Sequence, residues 1–278
     1  TIAYELRAEQ EQAVSQSFDY FMSHENGEFL WNAKPRFGKT LATYDLCKRL
    51  QATKGEYACN ILIVTNRPAI ANSWYEDFVK FIGTESGFRF VSEVSALKGK
   101  PFVMSREEYT ASLTQELADC IEFVSLQDLK GSLYFGGQHD KLKELVNMQW
   151  ELLVIDEAHE GVDTSKTDVA FHQIKRNHTL HLSGTPFKAL ANDKFPSDAI
   201  YNWTYADEQK AKANWSDVEH NNPYENLPKL NLFTYQMSEI IREELKQGVE
   251  IEGETEEYAF DLNLFFSVKA NGDFVYEE

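Results

Sequence analysis

The run Leu152-Leu153-Val154-Ile155, closed by Asp156-Glu157-Ala158-His159, restricts the fold more than any other stretch of the chain. Four consecutive apolar residues fit a strand covered on both faces, as in a parallel sheet. The two carboxylates would then emerge at its carboxyl end, where open sheets bind ligands. About 120 residues upstream stands Gly38-Lys39-Thr40, the tail of a G-x-x-x-x-G-K-[ST] phosphate loop. Asp156 can hold Mg²⁺ and Glu157 can orient or deprotonate a water while the loop grips a triphosphate. An acidic helix start explains Asp-Glu taken alone, and chance explains Gly-Lys-Thr taken alone. Their combination in strand context points to a nucleoside triphosphatase using ATP and Mg²⁺.

The loop fits its pattern in spacing and departs from it in composition. Ala33 stands where the first glycine is expected, and Lys34, Pro35, Arg36 and Phe37 fill positions usually given to small residues. Gly38 allows close backbone approach to phosphate, Lys39 places a charge on the β and γ groups, and Thr40 offers its hydroxyl to Mg²⁺ at a helix N-terminus. Pro35 removes one backbone donor from the cradle.

Strands and helices alternate along the chain, the pattern of a parallel sheet with crossover helices. Strands are expected at Glu28–Ala33, Asn60–Thr65, Glu122–Leu126, Glu151–Ile155 and Thr179–Leu182. Helical spacing puts Gln10, Val14, Phe18 and Phe21 on one face, and Leu41, Tyr44, Cys47 and Leu50 on another from Lys39 to about Gln51. Pro68 opens a helix with Ile70, Trp74, Phe78 and Phe81 on one side. Asn192–Tyr205 and Asn214–Pro228 read as loops, with a short helix at Asp207–Ala213. Beyond them come a strand at Lys229–Tyr235, a helix at Met237–Gln247 and a strand pair within Glu257–Phe274 turning at Asn271-Gly272. The expected architecture is an α/β domain over residues 1–228, followed by an acidic extension, or the start of a linker, over residues 229–278.

Composition excludes several classes. At 42% hydrophobic and 13% aromatic residues the chain can fill a core, so disorder is not the default. No apolar stretch approaches the roughly 18 residues that would span a bilayer, and the start lacks a signal peptide, so a cytoplasmic protein without a membrane partner is expected. Cys47, Cys59 and Cys120 lie far apart without a Cys-x-x-Cys pair, the pattern of reduced core residues. The net charge of −18 argues against a surface that attracts nucleic acid as a whole. Tyr201 to Glu278 carries 17 Asp or Glu against 6 Lys or Arg, so the acidity gathers late, as a solvated segment, a mimic of DNA or a docking strip for a basic partner. Thr1 in place of Met suggests a piece of a longer protein.

Ala33–Thr40, Asp156-Glu157-Ala158-His159 and Ser183-Gly184-Thr185 resemble motifs I, II and III of the superfamily 2 helicases and translocases, the second in its DEAH-box form. Leu6-Arg7-Ala8-Glu9-Gln10 resembles the family's adenine-reading segment. Ile63–Pro68 with Trp74 resembles motif Ia, and Val124–Asp128 the strand-end segment after it. The Leu-Arg-x-x-Gln opening and the Arg-Pro helix start are most similar to the motor subunits of type I and type III restriction enzymes.

The resemblance implies a RecA-like P-loop domain with its motifs within residues 6–186. It implies nucleotide contacts from Arg7, Gln10, Pro35, Arg36, Phe37, Gly38, Lys39 and Thr40, Mg²⁺ held through water by Thr40 and Asp156, and catalysis by Lys39, Asp156 and Glu157. His159, Ser183 and Thr185 would couple the nucleotide site to the nucleic-acid path, and Thr65, Arg67 and Ser125 would touch the backbone of the tracking strand. Double-stranded DNA, a second motor domain in the same longer chain, and nuclease or methyltransferase modules are the implied partners. After Pro186 no arginine-rich helix stands ready to supply an arginine finger, which is worth ~10³ to 10⁵ in rate. The segment is therefore expected to bind ATP weakly and hydrolyse it poorly by itself. A non-hydrolysing nucleotide-gated module, or an RNA helicase core, is the alternative.

Overall fold

In the computed structural model of the protein, the apolar runs pair side by side into one eight-stranded sheet, and every pairing is parallel. The structure describes residues 1–113, 118–156, 170–184 and 195–227. The strands are β1 (Glu28–Ala33), β2 (Asn60–Thr65), β3 (Phe88–Ser92), β4 (Val103–Met104), β5 (Asp119–Ser125), β6 (Trp150–Asp156), β7 (Arg176–Ser183) and β8 (Ile200–Trp203), in the order β4-β3-β5-β2-β6-β7-β1-β8. The chain divides into two units, Thr1–Pro228 and Lys229–Glu278. The expected strand, helix and strand pair beyond Lys229 lie outside the described residues, as do Glu157, His159 and Thr185.

Continuous apolar runs work here because each strand is covered on both faces. On β2, Ile61 and Ile63 enter one core layer while Leu62 and Val64 enter the other; β6 repeats this with Leu152 and Val154 against Leu153 and Ile155. The first layer also takes Val14 and Phe21 of α1 (Ala8–Ser23), Tyr44, Cys47 and Leu50 of α2 (Lys39–Thr53), and Trp74 of α3 (Ala71–Asp77). The second takes Leu126 and Leu129 of α5 (Leu126–Gly131) and Leu145 of α6 (Lys143–Asn147). Short α4 (Arg106–Ser112) begins at a capping box between Ser105 and Glu108. The three cysteines are buried and free, and burial pushes the Cys59 and Cys120 thiols up to about 12. No helix among the described residues is long and apolar enough to cross a membrane.

Three expectations are corrected. Residues within Asn192–Tyr205 were expected to form loop, yet Ile200–Trp203 is a strand that adds in parallel to the outer edge of β1, from Leu30 opposite Ile200 to Ala33 opposite Trp203. Four residues with an internal Asn carry too little pattern for a strand, and the exposed edge of β1 supplies the register instead. The Pro68 helix is not continuous: a 3₁₀ turn at Pro68–Ile70 leads into α3, and a π turn follows at Phe78–Ile82. Strand β5 ends at Ser125, and Leu126 opens a helix. The short helix after β8 is α7, Tyr205–Ala213.

Candidate nucleotide site

Register places the functional positions on one edge of the sheet. Thr65 at the end of β2 stands opposite both Ser125 of β5 and Asp156 of β6; Asp156 is beside Leu182 of β7, and Ser183 is beside Asn32 of β1. The phosphate loop leaves β1 at Ala33 on that same carboxyl edge and returns at Gly38 as the N-cap of α2.

Each carbonyl from Ala33 to Phe37 accepts a hydrogen bond from within the protein. Lys39 Nζ donates to Ala33 O at 2.9 Å, Phe37 N to Lys34 O at 3.2 Å, and Lys34 Nζ to Pro35 O at 2.9 Å. The Arg7 guanidinium donates to Arg36 O at 3.3 Å and to Phe37 O at 2.7 Å, and Gln10 Nε2 reaches Phe37 O at 2.9 Å. With the carbonyls engaged inside, the N–H groups of the first turn of α2, at Lys39 and Thr40, carry the loop's positive end. This arrangement suits an anion. Gly38 has φ +81°, a backbone conformation that strains any residue with a Cβ, and a Cβ there would also lie 2.5 Å from Gln10 Nε2 and push that side chain aside. Arg36, at φ +69°, is a non-glycine residue in the left-handed region, a strain of roughly 1–3 kcal/mol that its surroundings must hold. Phe37 helps to hold it, packed edge-on against Trp31 and tilted against Tyr201 in the core.

Asp156 is buried and accepts a hydrogen bond from Trp74 Nε1 at 3.2 Å. Trp74 is itself fixed by Tyr44 of α2, whose hydroxyl donates to Trp74 O and whose ring stands edge-on to the indole. The acidic motif, the helix after motif Ia and the helix of the phosphate loop are thereby joined. Thr65 and Ser125 are buried; the Thr65 hydroxyl accepts from Arg67 N at 3.1 Å, and the Ser125 hydroxyl accepts from Asp128 N at 3.1 Å as the cap of α5. Arg67 is exposed beside them.

The structure thus brings Arg7, Gln10, Arg36, Phe37, Gly38, Lys39 and Thr40 into one cluster, with Pro35 exposed at its rim. Asp156 is joined to this cluster through Trp74. Thr65, Arg67 and Ser125 form a second group on the same edge. Sequence reasoning missed Trp74 as a carboxylate partner, Glu9, and the buried pair Lys34–Glu208. An indole that donates looks the same in sequence as one that only packs, and Glu208 stands 174 positions from Lys34. A cleft of about 880 Å³ opens elsewhere, near β3 and β5, between Glu93, Arg106, Phe123, Asp128 and Lys141; the nucleotide motifs do not gather there.

Residues 3–188 match the family described as type III restriction enzyme, res subunit. The chain is 25% identical to a Mycoplasma pneumoniae protein described as the C-terminus of a putative type II restriction enzyme and methyltransferase, an alignment covering 85% of this chain and 36% of that protein. Among solved structures it is similar to a nuclease-deletion mutant of the Type ISP restriction-modification enzyme LlaGI in complex with a DNA substrate mimic, with a TM-score of 0.56 and 14% identity over 77% of this chain and 21% of that one. A Sulfolobus solfataricus SWI2/SNF2 ATPase core in complex with double-stranded DNA gives a TM-score of 0.48 at 18% identity, over 70% of this chain and 35% of that one. The chain spans about a third of the length of the curated relative.

Proposed function

The chain belongs to the family of type III restriction enzyme res subunits, a helicase-like motor family, and we propose that it is the ATP-binding half of a motor that moves on double-stranded DNA within a restriction-modification enzyme. One observation carries this reading: the phosphate loop and Asp156 share one sheet edge, and the loop's carbonyls are tied off, which leaves the α2 N-terminus with the donors an anion needs. The donors that would meet a phosphate are the first amides of α2 and the Lys39 ammonium, the donor chemistry such a group requires.

Gly38, Lys39 and Thr40 would hold the phosphates, Arg7 and Gln10 would read the base, and Thr40 with Asp156 would hold the cation through water. Bound Mg²⁺ would neutralise charge developing on the phosphates. Trp74 keeps the Asp156 carboxylate in place. Glu157 orients the water, and His159, Ser183 and Thr185 couple the site to movement. Thr65 and Ser125 shape two turns from which Arg67 meets the DNA backbone, a contact without sequence preference. A second motor domain closes on this wall, and nuclease or methyltransferase modules belong to the rest of the enzyme.

The full-length protein should show DNA-stimulated ATP hydrolysis that falls by about 10²-fold or more in Lys39→Ala, the scale of losing one charge-stabilising donor. Absence of any ATP hydrolysis in the wild-type full-length protein with DNA overturns the proposal.

A further inference from the structure

The phosphate loop is held from a side that no motif covers. Lys34 fills a loop position usually given to a small residue, yet its side chain is only 4% exposed and its ammonium donates to Glu208 Oε2 of α7 at 2.7 Å; the Glu208 side chain is 5% exposed. The same ammonium donates to Pro35 O at 2.9 Å and lies 4.8 Å from the centre of the Tyr205 ring. The Lys34 amide donates to Trp203 O at 3.0 Å, which joins the loop to the end of β8. A second line runs through Glu9, a buried carboxylate of α1. It accepts from Arg7 Nε at 2.7 Å and from the Tyr224 hydroxyl, and so holds the guanidinium that reaches Arg36 O and Phe37 O. Tyr224 is itself brought in by a strap after α7: Lys212 Nζ donates to Glu225 O and Leu227 O, Asn222 Nδ2 donates to Lys212 O, and Trp215 packs edge-on against the Tyr224 ring.

We propose that Glu208 and Tyr224 are positioning residues of the nucleotide loop, acting through Lys34 and through Glu9–Arg7 respectively. Both lie beyond the family match, which ends at residue 188. A buried ammonium needs a partner, and once paired it cannot leave without stranding a charge, so the pair fixes the Pro35 carbonyl. The strained Arg36 backbone next to it is then held by Arg7 from one side and by Lys34 through Pro35 from the other. Segment 200–227 is in this view the outer wall of the nucleotide site. The inference rests on the proposed nucleotide site only in its kinetic part; its structural part stands apart from ATP.

Two measurements on the full-length protein test it. In Glu208→Gln, hydrogen exchange of the amides at Lys34 and Phe37 should quicken about tenfold while β2 and β5 amides keep their protection, as expected of a local opening. The KM for ATP should rise about tenfold with kcat within about twofold, because the loop's ground-state grip is what changes. Tyr224→Phe should give a smaller KM rise, about threefold, since one neutral donor is lost. Should Glu208→Gln fail to fold, the double variant Lys34→Met/Glu208→Leu keeps the volume without stranding a charge, and the same KM rise is expected from the freed Pro35 carbonyl. Unchanged loop exchange, or a wild-type KM in the double variant of an active enzyme, overturns the inference. A wild-type protein without ATP turnover but with quickened exchange in Glu208→Gln sinks the ATPase reading and leaves the positioning role standing.

Discussion

The phosphate loop and the turns that follow β2 and β5 lie on one sheet edge and are held in opposite ways. The turns hold themselves: Thr65 caps the amide of Arg67 two positions on, and Ser125 caps that of Asp128 three positions on. The loop is held by side chains from far away, Arg7 and Gln10 from about 30 positions before it and Glu208 from 174 positions after its lysine. Arg67 is exposed beside its locally capped turn. The loop contains a left-handed Arg36 and a buried aromatic, and neither is stable without tertiary partners. One sheet edge thus carries a loop that depends on tertiary contacts and turns that do not.

The comparison breaks most readily at Phe37. Phe37→Ala removes a fully buried ring from between Trp31 and Tyr201 and should cost about 3–5 kcal/mol, read as a lowered urea midpoint. A loss below about 1 kcal/mol would show that the loop is not anchored through the core. Trp74→Phe keeps an aromatic ring, though a smaller one, and removes the donor to Asp156, so roughly 1.5–3 kcal/mol of stability should go with the hydrogen bond, with a higher Mg²⁺ requirement for hydrolysis. Ser125→Ala deletes only a local cap: about 1 kcal/mol is expected, with ATP affinity unchanged. Changed ATP affinity in that variant would show that the two ends are not independent. Arg67→Ala should leave stability within about 0.5 kcal/mol and make DNA binding less salt-dependent, the slope falling by about one.

The smallest effect lies at the opposite end of the sheet, where His178 stacks on Phe21 near Glu151. Burial holds the His178 pKa below its ordinary value, against the pull of Glu151. As pH falls through the ordinary histidine range near 6.5, the unfolded chain takes up a proton that the folded one refuses. Stability should therefore decline on acidification below about pH 6.5, and His178→Gln should flatten that decline in thermal melts across pH 5 to 7. An unchanged pH slope in the variant would remove His178 from the account.

Much of the sheet was legible in the sequence because buried parallel strands must be apolar throughout. Asn60–Thr65 and Glu28–Ala33 fall where they were expected, and Trp150–Asp156 extends the expected strand by one residue at each end. Strand β8 was not legible: Ile200-Tyr201-Asn202-Trp203 becomes a strand only because β1 offers it an unpaired edge. Among site residues, the clustering of Arg7, Gln10 and the loop follows the motifs. The roles of Trp74, Glu9, Tyr224 and Glu208 do not, since a donor or a buried carboxylate is defined by the atom it meets.

The sequence by itself determined the chemical groups and their order along the chain: a glycine, lysine and threonine after one apolar strand, an aspartate at the end of another, and the parallel sheet those strands require. Tertiary structure alone decided how the loop is held. Contacts such as Lys34–Glu208 and Tyr224–Glu9 join positions far apart in the chain, and their strength comes from burial, which excludes water from a charge only after the sheet, α1 and α7 have packed together.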